Sequence, residues 1–219
     1  MKTDLVRMKK QNIPAKFEEH GQFFSDLYAS GGWGPVSSGG GSSPENTVEY
    51  RKFLINFINE NNIKTVWDYG CGDWTFSKLI DWGKVQYNGI EVVKEIVDEL
   101  NNEYKKTNVK FFHITEKNSK NFYNKKGDLL IIKDVLQHWN NEEIIFFLDK
   151  IINNYKFIII NNSSSQQEDW EELTNRMSGR PLSCNYYPLK KYNIKKIFNY
   201  SDKEISVIER EEVDEYYEY

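Results

Sequence analysis

The chain has 219 residues, enough for one domain with a sizeable core, or one domain with appendages. Its 29 Lys and Arg against 33 Asp and Glu leave a net charge of −4, without the basic balance that general nucleic-acid binding needs. Two cysteines, Cys71 and Cys184, make neither a disulfide framework nor a metal site by spacing, so a reduced cytoplasmic setting is expected. The first residues carry charges throughout with no apolar leader core, and no stretch approaches the ~20 apolar residues of a membrane span, so no membrane partner is expected.

Along the chain, Phe17, Phe23, Phe24, Leu27 and Tyr28 fall at roughly helical spacing in a polar background. Such a helix either packs on the main body or covers a site. Residues 31–43, GGWGPVSSGGGSS, have the composition of a flexible linker. Trp33 is a poor residue for a solvated tether and a good one for closing over a ligand, so linker and cover are the two readings. Residues 1–43 are therefore set apart as a helical, Gly-rich lid segment. Ser42 with Glu45 has capping-box spacing and Pro44 suits a first turn. The stripe Val48, Phe53, Leu54, Phe57 and Ile58 then predicts a helix through about Glu60.

Strands and helices alternate after that. Strands are expected at 65–69, 86–92, 109–115, 128–134 and 156–161, and helices at 75–81, 94–104 and 142–153. The strands are short, β-branched and nearly continuously apolar, as in a parallel sheet covered on both faces. The expectation is a doubly wound α/β fold. At the end, 194–200 and 204–209 flank Ser201-Asp202-Lys203 and read as a hairpin. An acidic tail follows at 211–219.

The chemistry gathers at Asp68-Tyr-Gly70-Cys71-Gly72, between the first strand and a helix. The glycines allow positive φ and close approach to a ligand, and a helix start offers unpaired N–H groups. The dinucleotide pattern G-x-G-x-x-G fails because Thr75 holds its third position, and no P-loop string exists. The Asp68 carboxylate would repel phosphates and suit a cation. Glu91 falls 21 residues after Gly70, at the tip of the second strand, where an acid accepts from ribose hydroxyls. Val92 beside it suits an adenine face. Ribose, adenine and a cationic amino acid without phosphate describe S-adenosylmethionine.

D-Y-G-C-G-D-W, G-I-E and K-D-V-L-Q-H-W together resemble the class I S-adenosylmethionine-dependent methyltransferases, over residues 45–210. The resemblance implies a mostly parallel seven-stranded sheet with an antiparallel C-terminal hairpin strand, helices on both faces, and a methyltransferase domain at 44–210. It implies that Asp68, Gly70, Cys71 and Gly72 line the methionine portion of the cofactor and that Glu91 holds the ribose. Asp134, at the end of the fourth strand, then faces the methionine end and the acceptor. Many members place an acid after the third strand for the adenine amino group. Here FFHITEKN offers Thr115 or Glu116, or a backbone carbonyl instead. WGPVSSGGGS, GCGDW and GRPL look like a bacterial subgroup associated with sugar and surface-polysaccharide modification.

His138, at the mouth of the fourth strand, is either a general base, catalytic together with Asp134, or an orienter of its loop. Arg180 either binds an anionic acceptor or makes a surface salt bridge. Tyr186 either lines the acceptor pocket or packs. Asp73 either caps the helix after it or faces the acceptor. The expected reaction moves a methyl group to a small-molecule acceptor, leaving S-adenosylhomocysteine. The alternatives are a non-catalytic cofactor-binding subunit, an N- or protein methyltransferase, and a nicotinamide-dependent oxidoreductase.

Overall fold

The computed structural model describes residues 17–34, 38–105, 108–168 and 179–210. The acidic tail, the first part of the lid segment and positions 35–37 of the Gly-rich loop lie outside the described residues. Helix α1 (Phe17–Ala29) is followed by the Gly-rich loop and helix α2 (Val48–Glu60). Tyr50, Leu54 and Ile58 recur every four residues on α2 and are buried, which is the apolar face of a helix against a sheet.

The strands are β1 (Thr65–Tyr69), β2 (Gln86–Glu91), β3 (Val109–His113), β4 (Gly127–Lys133), β5 (Tyr155–Ser163), β6 (Ile194–Tyr200) and β7 (Lys203–Glu209). Helix α3 (Lys94–Glu103) precedes β3, α4 (Ser119–Tyr123) precedes β4, and α5 (Asn141–Ile151) precedes β5. All seven strands form one sheet in the order β3-β2-β1-β4-β5-β7-β6. The first five are parallel, and β7 runs antiparallel between β5 and β6. This is the expected doubly wound, mostly parallel sheet with an antiparallel C-terminal hairpin.

Successive residues of β4 serve opposite faces. Leu129 and Ile131 join the core under α2 and α3, while Leu130 and Ile132 join the core under α5. That two-sided burial explains why the strands read as unbroken apolar runs. Helix α5 begins with a capping box: the Asn140 side chain accepts from the Glu143 N–H, and the Glu143 side chain accepts from the Asn140 N–H.

Three expectations need correction. The helix at 75–81 is only a 3-10 turn, Ser77–Leu79. Trp74, Phe76, Ile80 and Trp82 are all buried there, so apolar anchors crowd a short segment, and the Trp82 indole takes the Ser77 carbonyl. The Ser42–Glu45 capping box does not form, because α2 starts later, after Thr47. Ser43 organises that turn instead, accepting at its carbonyl from the Thr47 N–H and hydroxyl. Helix α4 was not anticipated; five residues are too few to show a helical period.

Candidate active site

The parallel strands end on one side of the sheet, and β1 and β4 are the neighbours from which the chain winds in opposite directions. Ligands of open α/β sheets bind at such a switch point. A cavity of about 370 Å³ opens there.

Its β1–β2 end is made by backbone. Gly70 takes φ +73°, and a Cβ there would lie 2.4 Å from Val135 Cγ2. The Gly70 and Cys71 N–H groups both donate to the Ile90 carbonyl, which ties the turn to β2. Gly72 takes φ +56°, and a Cβ there would meet Ser38 Oγ at 2.9 Å and Tyr28 Oη at 3.2 Å. Glu91 is 6% exposed, and its carboxylate accepts from the N–H groups of Gly72 (3.0 Å), Val92 (2.8 Å) and Val93 (3.1 Å). Burial pushes the Glu91 carboxyl up, while those N–H groups pull the other way.

Asp68 forms the floor. It is 2% exposed and accepts from the Tyr87 hydroxyl at 2.6 Å. Burial pushes its carboxyl up to about 6; the Tyr87 hydroxyl and the Lys133 ammonium oppose that push, and the Glu91 charge adds to it. Burial likewise pushes the Cys71 thiol up, so it sits there as a small apolar side chain.

The β4–β7 end is made by long side chains. Asp134 takes φ +57°, turning its carboxylate between two ammonium groups: Lys133 Nζ at 2.6 Å and Lys203 Nζ at 2.7 Å. Lys133 also donates to Ser42 Oγ at 3.1 Å. Burial works against ionising Asp134, but the two ammonium groups outweigh it and hold the carboxyl below its ordinary range.

Aromatic rings form the wall. Phe17, His20, Phe24 and Tyr28 share the face of α1 that lines the cavity. Trp33 stacks on Phe24 at 6.2 Å and meets the His138 ring edge-on at 6.1 Å. His20 stacks on Trp139 at 6.4 Å. The Tyr28 hydroxyl meets Ser38 Oγ at 2.8 Å, and Ser38 donates to Asp73 Oδ1 at 2.6 Å. Asp73 also accepts from the N–H and hydroxyl of Thr75. It therefore caps the turn after it and fastens the Gly-rich loop to the glycine turn.

Of the residues singled out in the sequence, Trp33, Asp68, Gly70, Cys71 and Gly72 line this one cavity, as do Glu91, Val92, Asp134 and His138. Arg180 and Tyr186 do not. Arg180 is 3% exposed and donates to the Trp139 carbonyl and to Asn141 Oδ1, beneath the start of α5. It is buried and does not line the cavity. Tyr186 sits in a turn, its N–H on the Ser183 carbonyl. Glu116 accepts from the Glu18 N–H at the start of α1 and stays out of the cavity lining, so the wall beyond β3 is Ile114.

Lys133 and Lys203 escaped sequence reading as site residues, while Tyr28 and Ser38 were read only as parts of the lid segment. Lys203 lay in a polar turn and Lys133 beside a more familiar Asp. Only the pairing of β7 with β5 brings Lys203 to Asp134.

No protein-family model and no curated protein matches the sequence. Solved structures do. The methyltransferase domain of bacterial CtHen1-CN is 13% identical, with a TM-score of 0.55 over 74% of this chain and 98% of that one. DhpI, in complex with S-adenosylhomocysteine, is 10% identical, with a TM-score of 0.59 over 88% of this chain and 95% of that one. The bifunctional kinase-methyltransferase WbdD reaches 0.56 at 13% identity over 74% of this chain, which spans about two fifths of WbdD (39%). At these identities the likeness is one of fold: the chain has the Rossmann-like, seven-stranded architecture of S-adenosylmethionine-dependent methyltransferases.

Proposed function

We propose that this chain is an S-adenosylmethionine-dependent methyltransferase that acts on a hydroxyl of a small molecule. The observation that carries the reading is the buried Glu91 carboxylate, fixed by the N–H of Gly72 and opening onto the cavity at the β1–β4 switch point. Cofactor chemistry fits this donor set. The Gly70–Gly72 backbone leaves room for a methionine portion, Glu91 offers a fixed acceptor to a ribose, and Val92 with Ile114 gives an apolar seat for adenine. Asp68 supplies negative charge for a cationic amino acid, and Asp134, already paired with two ammonium groups, faces the methionine end and the acceptor. Trp33 and Phe24 close the outer side and exclude water.

When bound, the cofactor supplies a methyl group already activated on a sulfonium centre. The protein's task is alignment, worth on the order of 7–11 kcal/mol. A general base adds about 10²–10⁴-fold, roughly 3–5 kcal/mol. His138 is the group we assign to receive the hydroxyl proton, and the aromatic edges of Phe24 and Trp33 hold its ring. The motifs WGPVSSGGGS and GRPL favour a sugar-bearing acceptor of the surface-polysaccharide type.

Calorimetry with S-adenosylhomocysteine and with NADH is the first test. Binding of S-adenosylhomocysteine without binding of NADH is expected, and the reverse would make the chain an oxidoreductase. S-adenosylhomocysteine formed from S-adenosylmethionine with sugar acceptors supports catalysis. Binding without turnover across such acceptors turns the reading toward a non-catalytic subunit. His138→Ala is expected to slow turnover about 100-fold at unchanged cofactor affinity; unchanged turnover removes the base assignment.

A further inference from the structure

The β4–β7 end of the cavity carries more positive charge than its own carboxylate balances. Lys133 and Lys203 are 6% and 8% exposed, and both line the cavity. Between them stands one carboxylate, Asp134, bonded to both ammonium groups. Lys133 has a second partner in Ser42 Oγ. An ammonium group has three donors, and Lys203 uses one of them, on Asp134, among the described residues. A buried ammonium with unfilled donors is costly to keep, so a cavity-facing one is poised for an anion.

The sheet order says which ligand brings that anion. Glu91 and the Gly70–Gly72 turn stand over β2 and β1, whereas Lys133 and Lys203 stand on β4 and β7. Lys133 pairs across to Asn161, and Lys203 pairs with Ser163 on the same strand, β5. At about 4.8 Å per strand, β7 lies roughly 10 Å beyond β4. Lys203 therefore approaches Asp134 from the side away from the nucleoside seat.

We propose that Lys133 and Lys203 form a subsite for an anionic group, a carboxylate or phosphate, on the methyl acceptor. This rests on the methyltransferase reading. It moves anion recognition from Arg180, which the fold buries under α5, to a corner that faces the cavity. Asp134 sets the spacing of the two ammonium groups and pairs with both; Asp68, the other carboxylate that Lys133 acts on, stands on β1, and the sheet order puts β4 and β5 between it and the Lys203 strand.

The test uses Lys203→Met and Lys203→Arg, with thermal melts as the fold control, and inorganic phosphate as the probe. Phosphate is titrated into protein saturated with S-adenosylhomocysteine. The expected result is phosphate binding to the wild type, at least tenfold weaker in K203M and largely kept in K203R, with S-adenosylhomocysteine affinity within twofold. The cofactor product and its decarboxylated analogue are compared in parallel. If K203M weakens the first and spares the second, the lysine holds the cofactor's own carboxylate and the proposal is overturned. Equal phosphate binding in wild type and K203M, or none to the wild type, overturns it as well. Should K203M fail to fold, Lys133→Gln carries the same expectation. Failure of the wild type to bind S-adenosylhomocysteine is a separate outcome: it removes the methyltransferase reading, and with it an acceptor site.

Discussion

The two ends of the cavity are built from different material. The β1–β2 end is made of backbone: two left-handed glycines, a shared carbonyl, and three N–H groups around Glu91. The β4–β7 end is made of charged side chains: Lys133 and Asp134 at the end of β4, and Lys203, which arrives from β7. Backbone positions a ligand rigidly and tolerates little change. Charged side chains recognise by charge and tolerate conservative exchange. The fold thus separates a demanding seat from an adaptable one.

The sharpest way to break this contrast is Gly70→Ala. The new Cβ would sit 2.4 Å from Val135 Cγ2 at a φ that L residues rarely adopt. We expect a loss of S-adenosylhomocysteine affinity of about 100-fold or more by calorimetry. Adding Val135→Ala should recover only part, because the strain in φ remains. Full binding by Gly70→Ala would mean that the turn is not rigid.

The next effect concerns Asp68 and reads out as stability. An acid whose folded pKa is raised destabilises the fold wherever it is ionised. For Asp68 that cost is complete above about pH 6 and fades as pH falls toward the ordinary value of 3.8. Its size is about 3 kcal/mol at most. Asp68→Asn, which keeps an acceptor for Tyr87, should raise the melting temperature of the ligand-free protein by several degrees at pH 8. The gap should close between pH 6 and pH 4. A gap that does not vary with pH would sink this account.

Glu91→Gln comes third. The amide keeps an oxygen for Val92 and Val93 but turns a donor toward the Gly72 N–H. An unsatisfied buried donor costs about 1–3 kcal/mol. Binding of S-adenosylhomocysteine should weaken about 10- to 100-fold, while phosphate binding at the lysine corner stays the same. The smallest effect is Trp33→Ala. Losing ring contacts worth about 0.5–1.5 kcal/mol should weaken cofactor binding by roughly 3- to 10-fold and quicken protease cutting of the Gly-rich loop. Unchanged cutting with and without ligand would argue against a cover.

The backbone end was legible in the sequence because its parts are local. D-Y-G-C-G follows a strand directly, and Glu91 closes the next strand, so a turn, two glycines and an acid could be recognised by position. The alternation of apolar runs with helical patterns likewise carried the sheet, since burial on both faces leaves a continuous apolar signature. Two local signals misled. The 75–81 stretch has a helical pattern but buries Phe76, Ser77 and Ile80 one by one. Ser42 looked like a cap but accepts from Lys133, which lies 91 residues away.

What the sequence determined by itself was the succession of strands, the glycine turn and the acid at β2, all consequences of short-range backbone conformation and periodic burial. The tertiary structure alone decided what meets Asp134 and what becomes of Arg180. Those outcomes depend on β7 entering the sheet beside β5 and on α5 closing over the chain at Arg180. Charge and hydrogen bonding act over a few ångströms in space, and separation along the chain carries no record of that distance.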